Sequence, residues 1–473
     1  MNVSGQSAIS NIQFTAFGPI KQWTAGGKTY SRTFNLDGEI VGITNAAGTT
    51  TYARDLAGQI VSRSDGEGYS YDAVGRLIGY AGAAGDQSYD YDLNGNRIDQ
   101  LLGGNGLMFD YLNGNNQLSD IQGLTNAYTY DAAGNMTANG TLTFTYNTWG
   151  RLATVKQGTS TKATYRYNAF GQRVSKVAGS TTTYYVYDDS GLLLGEYNSS
   201  GTAVQEFLWL DGLPAMILTP SANYYVHPDH LGTPRLVYNS TGKIIWRWNS
   251  DPFGATPANE DPDGDKVKFT FNLRFPGQYF DKESNLHYNY FRDYDPSIGR
   301  YVQSDPIGLK GGWNVYGYAK GNPLSKYDTL GLFVNGDYDL SSGQLTLTDP
   351  SSGKTVTIPA ESGGKPFGDP ISRGEYDILE RQGRPDFYRL DKRDSSPYDD
   401  TDNDAGRGQY RLHRPGRTTG CIAAKDQKGW KEVDDLIKNT KDTDQVPDNF
   451  KPWWKFWQTT PGSITRYGTI TVH

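Results

Sequence analysis

Cysteine is nearly absent from this chain. Cys421 is the single cysteine among 473 residues, which excludes an intramolecular disulfide framework and leaves one free thiol. No run approaches the roughly 18 apolar residues that a membrane-spanning helix needs, so we expect no stable membrane anchor. The first residues lack the basic and apolar regions of a signal peptide, so secretion would need a route without a cleaved leader. The formal net charge of -7 argues against a nucleic-acid partner, which normally requires a basic face.

Tyrosine and charge are distributed unevenly along the chain. Residues 333–473 hold 6 of the 34 tyrosines but 20 Lys+Arg and 22 Asp+Glu, whereas residues 1–332 hold 28 tyrosines, 25 Lys+Arg and 30 Asp+Glu. Such a shift in composition predicts a domain boundary near residue 332. We therefore expect three parts, a repeat region over 1–223, a connecting core segment over 224–332 and a C-terminal domain over 333–473.

The first part is a sequence repeat. "YSYDAVGRLIGY", "YDYDLNGNRI" and "YRYNAFGQRV" share the order aromatic, any residue, Tyr, Asp or Asn, two residues and Gly, and the glycines recur every 16 to 21 residues. Alternating aromatic residues predict strands, and Asp-x-x-Gly supplies a turn with a glycine where φ must be positive. Because one hairpin is marginal in water, successive hairpins should pair edge to edge in a long sheet.

This pattern resembles the tyrosine–aspartate (YD) repeats of the RHS family, and the resemblance is strongest in residues 224–254 and 290–332. It implies a mainly β chain whose sheet winds into a hollow shell around a C-terminal toxin. A shell around 141 residues needs roughly 7,000 Å² of sheet, whereas 332 strand residues cover at most about 5,300 Å². We therefore expect an open shell or a piece of a longer parent chain.

Two aspartates stand near the boundary, Asp305 in "SDPIGLKGG" and Asp328 in "KYDTLGL". One interpretation is that both are turn residues ahead of a glycine. The other is a self-cleaving aspartic pair, because two neighbouring carboxylates can divide the roles of base and acid. The RHS resemblance implies the second and places the cut at Leu332–Phe333. Thr329 replaces the family's proline, and loss of its fixed φ could slow cleavage.

The C-terminal part opens with alternating stretches typical of strands, and "DQKGWKEVDDLIKNTK" predicts a helix with Trp430, Val433 and Ile437 on one face. In "YRLHRPGRTTGCIAA", a turn separates His413 from Cys421. A nearby imidazole lowers the pKa of a thiol, so one interpretation is a nucleophilic Cys421 with His413 as its base. The other is an ordinary buried cysteine, because free cysteine is among the most buried residue types.

These segments together resemble the Tlde1 family of interbacterial effectors, cysteine enzymes related to L,D-transpeptidases. The resemblance implies a small β-rich α+β domain that removes D-alanine from peptidoglycan tetrapeptide stems, as an L,D-carboxypeptidase or L,D-transpeptidase. It also implies action in the periplasm of target bacteria, a cognate immunity protein and delivery by type VI secretion. The resemblance implies catalysis by His413 and Cys421. We expect Thr418, Thr419 and Gly420 to support the oxyanion and the loop, and Arg414 and Arg417 to be either substrate-binding residues or solvated arginines.

Two other functions stay open, a delivery or binding shell with an inactive tip and a toxin of another chemistry such as a nuclease. The lack of a basic face and of a clustered His/Asp/Glu set counts against a nuclease. His227 and His230 in "HPDHLGT" lack a third ligand at a metal-like spacing, so we interpret them as structural. Gly264 stands in the wrong place for an EF-hand, so "DPDGD" at 261–265 predicts a surface turn. We expect no metal and no cofactor.

Overall fold

The computed structural model describes residues 9–328 apart from short gaps (16–18, 36–38, 56–57, 113–114, 125–126, 189–190, 307 and 309–313), together with residues 2–3 and 6–7 and, beyond 333, the strands and helix given below. The chain divides into two compact units, one formed by most of residues 1–331 and the other mainly by Leu332–His473. Within the described part, no helix is both long and apolar enough to cross a bilayer.

The first unit begins with a two-stranded ladder and a sheet of 12 strands in which spatial neighbours are also neighbours in sequence. From β6 to β14 every pairing is antiparallel. The ladder is β1 (Asn2–Val3) and β2 (Gln6–Ser7), and the sheet comprises β3 (Ile9–Phe14), β4 (Ile20–Ala25), β5 (Lys28–Phe34), β6 (Ile40–Asn45), β7 (Gly48–Arg54), β8 (Ile60–Arg63), β9 (Gly68–Tyr71), β10 (Leu77–Ala81), β11 (Gln87–Tyr91), β12 (Arg97–Leu102), β13 (Asn105–Tyr111) and β14 (Leu118–Ile121).

A second sheet of 13 antiparallel strands continues the same order. The expectation of a mainly β chain built from successive YD hairpins is therefore confirmed. The strands are β15 (Tyr128–Tyr130), β16 (Met136–Asn139), β17 (Thr143–Tyr146), β18 (Leu152–Gln157), β19 (Ser160–Tyr167), β20 (Arg173–Ala178), β21 (Thr181–Tyr187), β22 (Leu193–Tyr197), β23 (Ala203–Leu210), β24 (Leu213–Leu218), β25 (Asn223–Pro228), β26 (Pro234–Tyr238) and β27 (Ile244–Arg247).

The repeated Asp or Asn closes each hairpin through its side chain. At Asp72, the carboxylate Oδ1 accepts the backbone N–H of Val74 at 3.1 Å and of Arg76 at 2.9 Å, while the N–H of Gly75 donates to the Asp72 carbonyl at 3.0 Å. Gly75 has a φ of 82°, which a residue with a Cβ rarely adopts. An asparagine Oδ1 accepts the same bonds, as at Asn168. This shared acceptor explains why the repeat tolerates either residue.

The repeated tyrosine joins each hairpin to the one before it. Tyr91 donates its hydroxyl hydrogen to the Leu77 carbonyl at 2.9 Å, and Leu77 lies two residues after the preceding turn glycine. The ladder shifts register between Asp90 and Tyr91, so this tyrosine follows a bulge in its strand. The same bond recurs at Tyr71–Ile60, Tyr111–Arg97, Tyr146–Met136, Tyr167–Leu152 and Tyr187–Arg173.

We expect Tyr187→Phe to destabilise the first unit by about 1 kcal/mol, because the Arg173 carbonyl loses its hydroxyl donor while the ring is retained. Denaturant unfolding of the parent and the variant measures the change. Tyr184→Phe on the same strand is the control, since that side chain is 44% exposed. Equal stabilities for Tyr187→Phe and Tyr184→Phe would contradict this role of the hydroxyl.

Residues 279–306 and 314–322 run along the turn edge of the two sheets. They include a four-stranded antiparallel sheet and a short 3-10 helix, Ala319–Gly321. Six hairpin turns each exchange one hydrogen bond with this segment, so it is anchored along the edge. The strands are β28 (Tyr279–Asp281), β29 (Leu286–Asn289), β30 (Arg292–Asp295) and β31 (Arg300–Tyr301), and the bonds join Asn322 to Gly75, Asn314 to Asn96, Arg300 to Asn116, Tyr316 to Gly134, Phe291 to Arg151 and Tyr290 to Phe170.

The second unit is a nine-stranded mixed sheet with one helix. A parallel pairing of β32 with β42 closes eight of the strands into a ring, in the order β32-β33-β34-β40-β39-β36-β35-β42. The elements are β32 (Val334–Asp339), β33 (Gln344–Asp349), β34 (Lys354–Ser362), β35 (Gly374–Leu379), β36 (Phe387–Lys392), β39 (Arg411–His413), β40 (Ile422–Ala424), β41 (Asp444–Asp448) and β42 (Gly462–Val472), the separate pair β37 (Thr401–Asp402) and β38 (Arg407–Gly408), and α1 (Gln427–Asn439).

The core of the second unit lies between the helix and the strands. Trp430, Val433 and Ile437 are buried on α1, at most 2% exposed, and they belong to one apolar cluster with alternating residues of β33 and β34. Tyr388 in β36 packs on Trp430 and donates its hydroxyl hydrogen to Asp434 at 2.8 Å. The amphipathic pattern of the sequence therefore corresponds to the buried face of the helix.

Candidate functional site

Arg292 brings together Asp305 and Asp328, the two aspartates near the domain boundary. Its Nη1 lies 2.9 Å from Oδ2 of Asp305 and its Nη2 lies 3.2 Å from Oδ2 of Asp328. The three side chains are 4%, 7% and 20% exposed in that order, so the cluster is largely withdrawn from water. One guanidinium with two forked N–H groups can hold two carboxylates at fixed positions. The structure thus joins two residues that are 23 positions apart in the sequence.

Two further buried side chains fix Asp328. The Tyr301 hydroxyl donates to Asp328 Oδ2 at 2.9 Å, and the Asn289 amide donates to the Asp328 carbonyl at 2.9 Å and to the Tyr301 oxygen at 2.7 Å. The Arg292 guanidinium also stacks on the Tyr301 ring, 3.7 Å from its centroid. The carboxylate and the main chain of Asp328 are therefore both held by β29, β30 and β31.

The electrostatics of the cluster keep its donors protonated. Burial alone would lower the pKa of Arg292, but the Tyr301 phenol and the carboxylates of Asp305 and Asp328 raise it above its ordinary value. Burial, followed by the charge of Asp328, raises the pKa of Tyr301 well above its ordinary value. Arg292 and Tyr301 consequently donate hydrogen bonds across the physiological pH range. The bond Leu332–Phe333 lies outside the described residues.

The residues of the expected cysteine site are described only in part. His413 ends β39, where its backbone pairs with Phe387 on one side and, in parallel, with Ala423 of β40 on the other. The other residues of this expected site lie outside the described residues, namely Arg414, Arg417, Thr418, Thr419, Gly420 and Cys421. The distance between the His413 ring and the Cys421 sulfur therefore stays a prediction.

His227 and His230 act as structural hydrogen-bonding groups. The Nδ1 of His227 accepts the Ala46 N–H at 3.0 Å, and its Nε2 lies 2.9 Å from the Tyr238 hydroxyl. The His230 Nε2 lies 2.8 Å from the Leu324 carbonyl. Burial lowers the pKa of His227 to about 3 and also lowers the pKa of His230, so both rings are neutral at neutral pH.

Asp261, Asp263 and Asp265 lie together, with one carboxylate oxygen of each within 4.8 Å of the others. The Lys243 ammonium lies 2.7 Å from Asp263 and 3.9 Å from Asp265. A lysine charge therefore already occupies the position beside these carboxylates, as in an ordinary charged surface turn.

Two curated relatives share sequence with much of this chain. A double-stranded DNA deaminase toxin A of Burkholderia cenocepacia is 28% identical over 396 residues, which are 72% of this chain and 26% of that protein. A probable deoxyribonuclease RhsB of Dickeya dadantii is 32% identical over 183 residues, which are 36% of this chain and 12% of that protein. The chain thus spans about a quarter or less of the length of these relatives.

These relatives correct three expectations. Both carry names of enzymes that act on DNA, so the expected cysteine L,D-transpeptidase or L,D-carboxypeptidase is wrong, and so is its peptidoglycan stem substrate. The exclusion of a nucleic-acid partner is wrong for the same reason. The physical error was to treat net charge as evidence about binding, because a domain with a net charge near zero can still carry a local basic patch.

The fold and the family follow from two further comparisons. The solved Tc holotoxin pore of Photorhabdus luminescens with a TccC3 mutation matches 70% of this chain and 19% of that chain, at a TM-score of 0.57 and 19% identity, which is a likeness of fold. The resemblance to YD-repeat proteins of the RHS type is therefore confirmed, whereas the Tlde1-like domain stays a prediction. Residues 57–323, more than half of the sequence, match the Teneurin YD-shell family model, and the chain belongs to that family.

Proposed function

We propose that the chain is an RHS-type toxin in which the YD-shell unit carries and releases a C-terminal unit, residues 333–473, that acts on nucleic acid. The observation that carries this proposal is that the two shell-bearing relatives are named as DNA-acting enzymes. Shell and cargo are separate compact units here, so one shell can accompany different cargo chemistries.

The charge of the chain is compatible with this substrate. Residues 333–473 carry 20 basic and 22 acidic groups, so their net charge is close to zero and leaves room for a local basic patch. Arg414 and Arg417 fall in the segment that connects β39 to β40. Guanidinium groups suit phosphate because their N–H donors bind it in a bidentate manner. We expect these two arginines to contact the nucleic-acid backbone.

Expression of the full chain in the bacterial cytoplasm tests the proposal. We expect arrest of growth together with fragmentation or base conversion of cellular DNA, read by electrophoresis and sequencing. The Arg414→Gln, Arg417→Gln double variant should damage DNA about 10-fold less, because two charge-assisted phosphate contacts are lost. Lys431→Gln on the exposed face of α1 is the control. Growth arrest with intact nucleic acids would overturn the proposal.

The self-release step is supported by the two carboxylates that share Arg292. In this step one carboxylate removes a proton from water, the water oxygen attacks the carbonyl carbon of Leu332, and the other carboxyl group protonates the nitrogen of Phe333 as the peptide bond breaks. The products are a carboxylic acid on Leu332 and an amine on Phe333, which exchange a proton to become a carboxylate and an ammonium group, and the two aspartates have exchanged protonation states. Arg292 and Tyr301 position the pair and do not exchange protons themselves.

Several expectations about residues 333–473 remain part of the proposal. Delivery into another bacterium by type VI secretion and neutralisation by an immunity protein are consistent with a nucleic-acid toxin. The target compartment then becomes the cytoplasm, where the nucleic acid lies. His413 and Cys421 remain candidate site residues, and the Tlde1-like fold remains a prediction about architecture alone.

A further inference from the structure

A small cavity lies in the first unit where the turn edge of the hairpins meets residues 298–321. Its volume is about 30 Å³. Two arginines from different parts of the chain line it, Arg97 at the start of β12 and Arg300 at the start of β31, together with Gly299 and Tyr111. Neither arginine belongs to the cluster around Asp305 and Asp328.

Both guanidinium groups are buried, with Arg97 5% exposed and Arg300 6% exposed. Among the described residues, the arginines that form ion pairs with carboxylates do not include these two. Arg97 donates from Nη1 to the Gln100 side chain at 3.0 Å, and Arg300 donates from Nη2 to the Asn116 carbonyl. The Nε of Arg97 is buried and has no hydrogen-bond partner.

Aromatic rings also contact the two charges. The Arg97 guanidinium lies 4.5 Å from the ring centroid of Tyr89 and 4.1 Å from that of Phe253, and the Arg300 guanidinium lies 5.1 Å from that of Tyr111. Ring faces attract a cation but do not neutralise it. An arginine cannot lose its proton in a protein, so two buried positive charges persist beside one cavity. A buried charge that lacks a counter-charge is costly.

We propose that this cavity binds a monatomic inorganic anion such as chloride. An anion between the two guanidiniums supplies the missing negative charge and an acceptor for the free Nε of Arg97. The volume suits an ion about the size of a water molecule or slightly larger. A Cβ on Gly299 would lie 2.4 Å from Nη2 of Arg97, so only glycine leaves room for the Arg97 guanidinium at this wall.

Anion binding would connect the hairpin edge to the segment that carries Asp305. Arg97 belongs to the 12-stranded sheet, whereas the backbone of Arg300 pairs with that of Asp295 in the four-stranded sheet. Arg300 stands five residues before Asp305. An ion that is bound by both arginines therefore stabilises the folded unit and its attachment along the turn edge.

Thermal unfolding of the full chain tests the site, with chloride replaced stepwise by methanesulfonate at constant ionic strength. We expect the midpoint to rise with chloride and to saturate, with a total shift of about 2 °C. Arg97→Gln and Arg300→Gln should each remove the dependence on chloride, whereas Arg166→Gln, an exposed arginine of β19, should retain it.

Crystals of the parent protein soaked in bromide provide a second measurement that does not depend on the variants. An anomalous peak between Arg97 and Arg300 is expected. A midpoint that follows ionic strength alone, or a chloride response that persists in both cavity variants, would overturn the proposal. A cavity that holds only water, without an anomalous signal, would overturn it as well.

Discussion

We expect the parent chain to separate into residues 1–332 and 333–473, as proposed, and Asp328→Asn to leave it in one piece. Asparagine keeps the shape of the side chain and can still accept the Tyr301 hydrogen bond, but it cannot take or give the proton that peptide hydrolysis requires. Loss of one member of an acid–base pair slows a reaction by about 10²-fold or more. Electrophoresis of freshly purified protein over time, with mass spectrometry of the fragments, measures the rate and the position of the cut.

Asp305→Asn should also leave the chain in one piece, because the proposed cleavage needs both carboxyl groups. Arg292 holds the two of them in one cluster. The exposed Asp90→Asn is the control for loss of an aspartate elsewhere in the same unit. A denaturant melt of each variant shows whether the fold is kept. Folded Asp328→Asn protein that separates as fast as the parent would contradict the assignment, as would a cut far from Leu332–Phe333.

The hairpin repeat could be predicted because its causes are local. The Asp or Asn and the glycine of each unit stand within three residues of each other, and together they determine the turn. The role of the tyrosine that precedes the repeated Asp or Asn was harder to predict from the sequence. The Tyr91 hydroxyl donates to the Leu77 carbonyl, which belongs to the previous hairpin. That bond depends on the pairing register, which only the assembled sheet defines.

The pair Asp305 and Asp328 could be selected from the sequence, but the residues that bring them together could not. Arg292 lies 13 and 36 positions from the two aspartates, and its contacts arise from the pairing of β30 with β31. Arg292 and Tyr301 both occur in the segment that resembles the RHS core. That resemblance identified the segment, but it did not predict that these two residues hold the aspartates.

The chemistry of the C-terminal unit was the weakest part of the sequence interpretation. One cysteine eight residues after one histidine is compatible with many folds, and the two side chains need not meet. The names of the relatives overturned the peptidoglycan chemistry, and they point to DNA as the substrate class.

The second large effect is expected at Asp281, which is fully buried between two positive side chains. Its carboxylate pairs with Nη1 of Arg173 and lies 3.0 Å from the Lys176 ammonium, and both bases belong to β20 whereas Asp281 ends β28. This ion pair therefore joins the 13-stranded sheet to the four-stranded sheet. Lys176 also lies 3.1 Å from Glu283, which is partly exposed.

Asp281→Asn should lower the free energy of unfolding by about 3–5 kcal/mol, because it leaves a buried Arg173 charge without its carboxylate. Denaturant unfolding measures this loss. Asp72→Asn is the matched control, since Asp72 also pairs with an arginine, Arg76, at 2.6 Å, but both side chains are more than 20% exposed. Because asparagine serves the same turn at Asn168, this control should cost less than about 1 kcal/mol. Equal losses for the two variants would show that burial of the Arg173–Asp281 pair adds nothing, and the two sheets would then be joined by apolar packing alone.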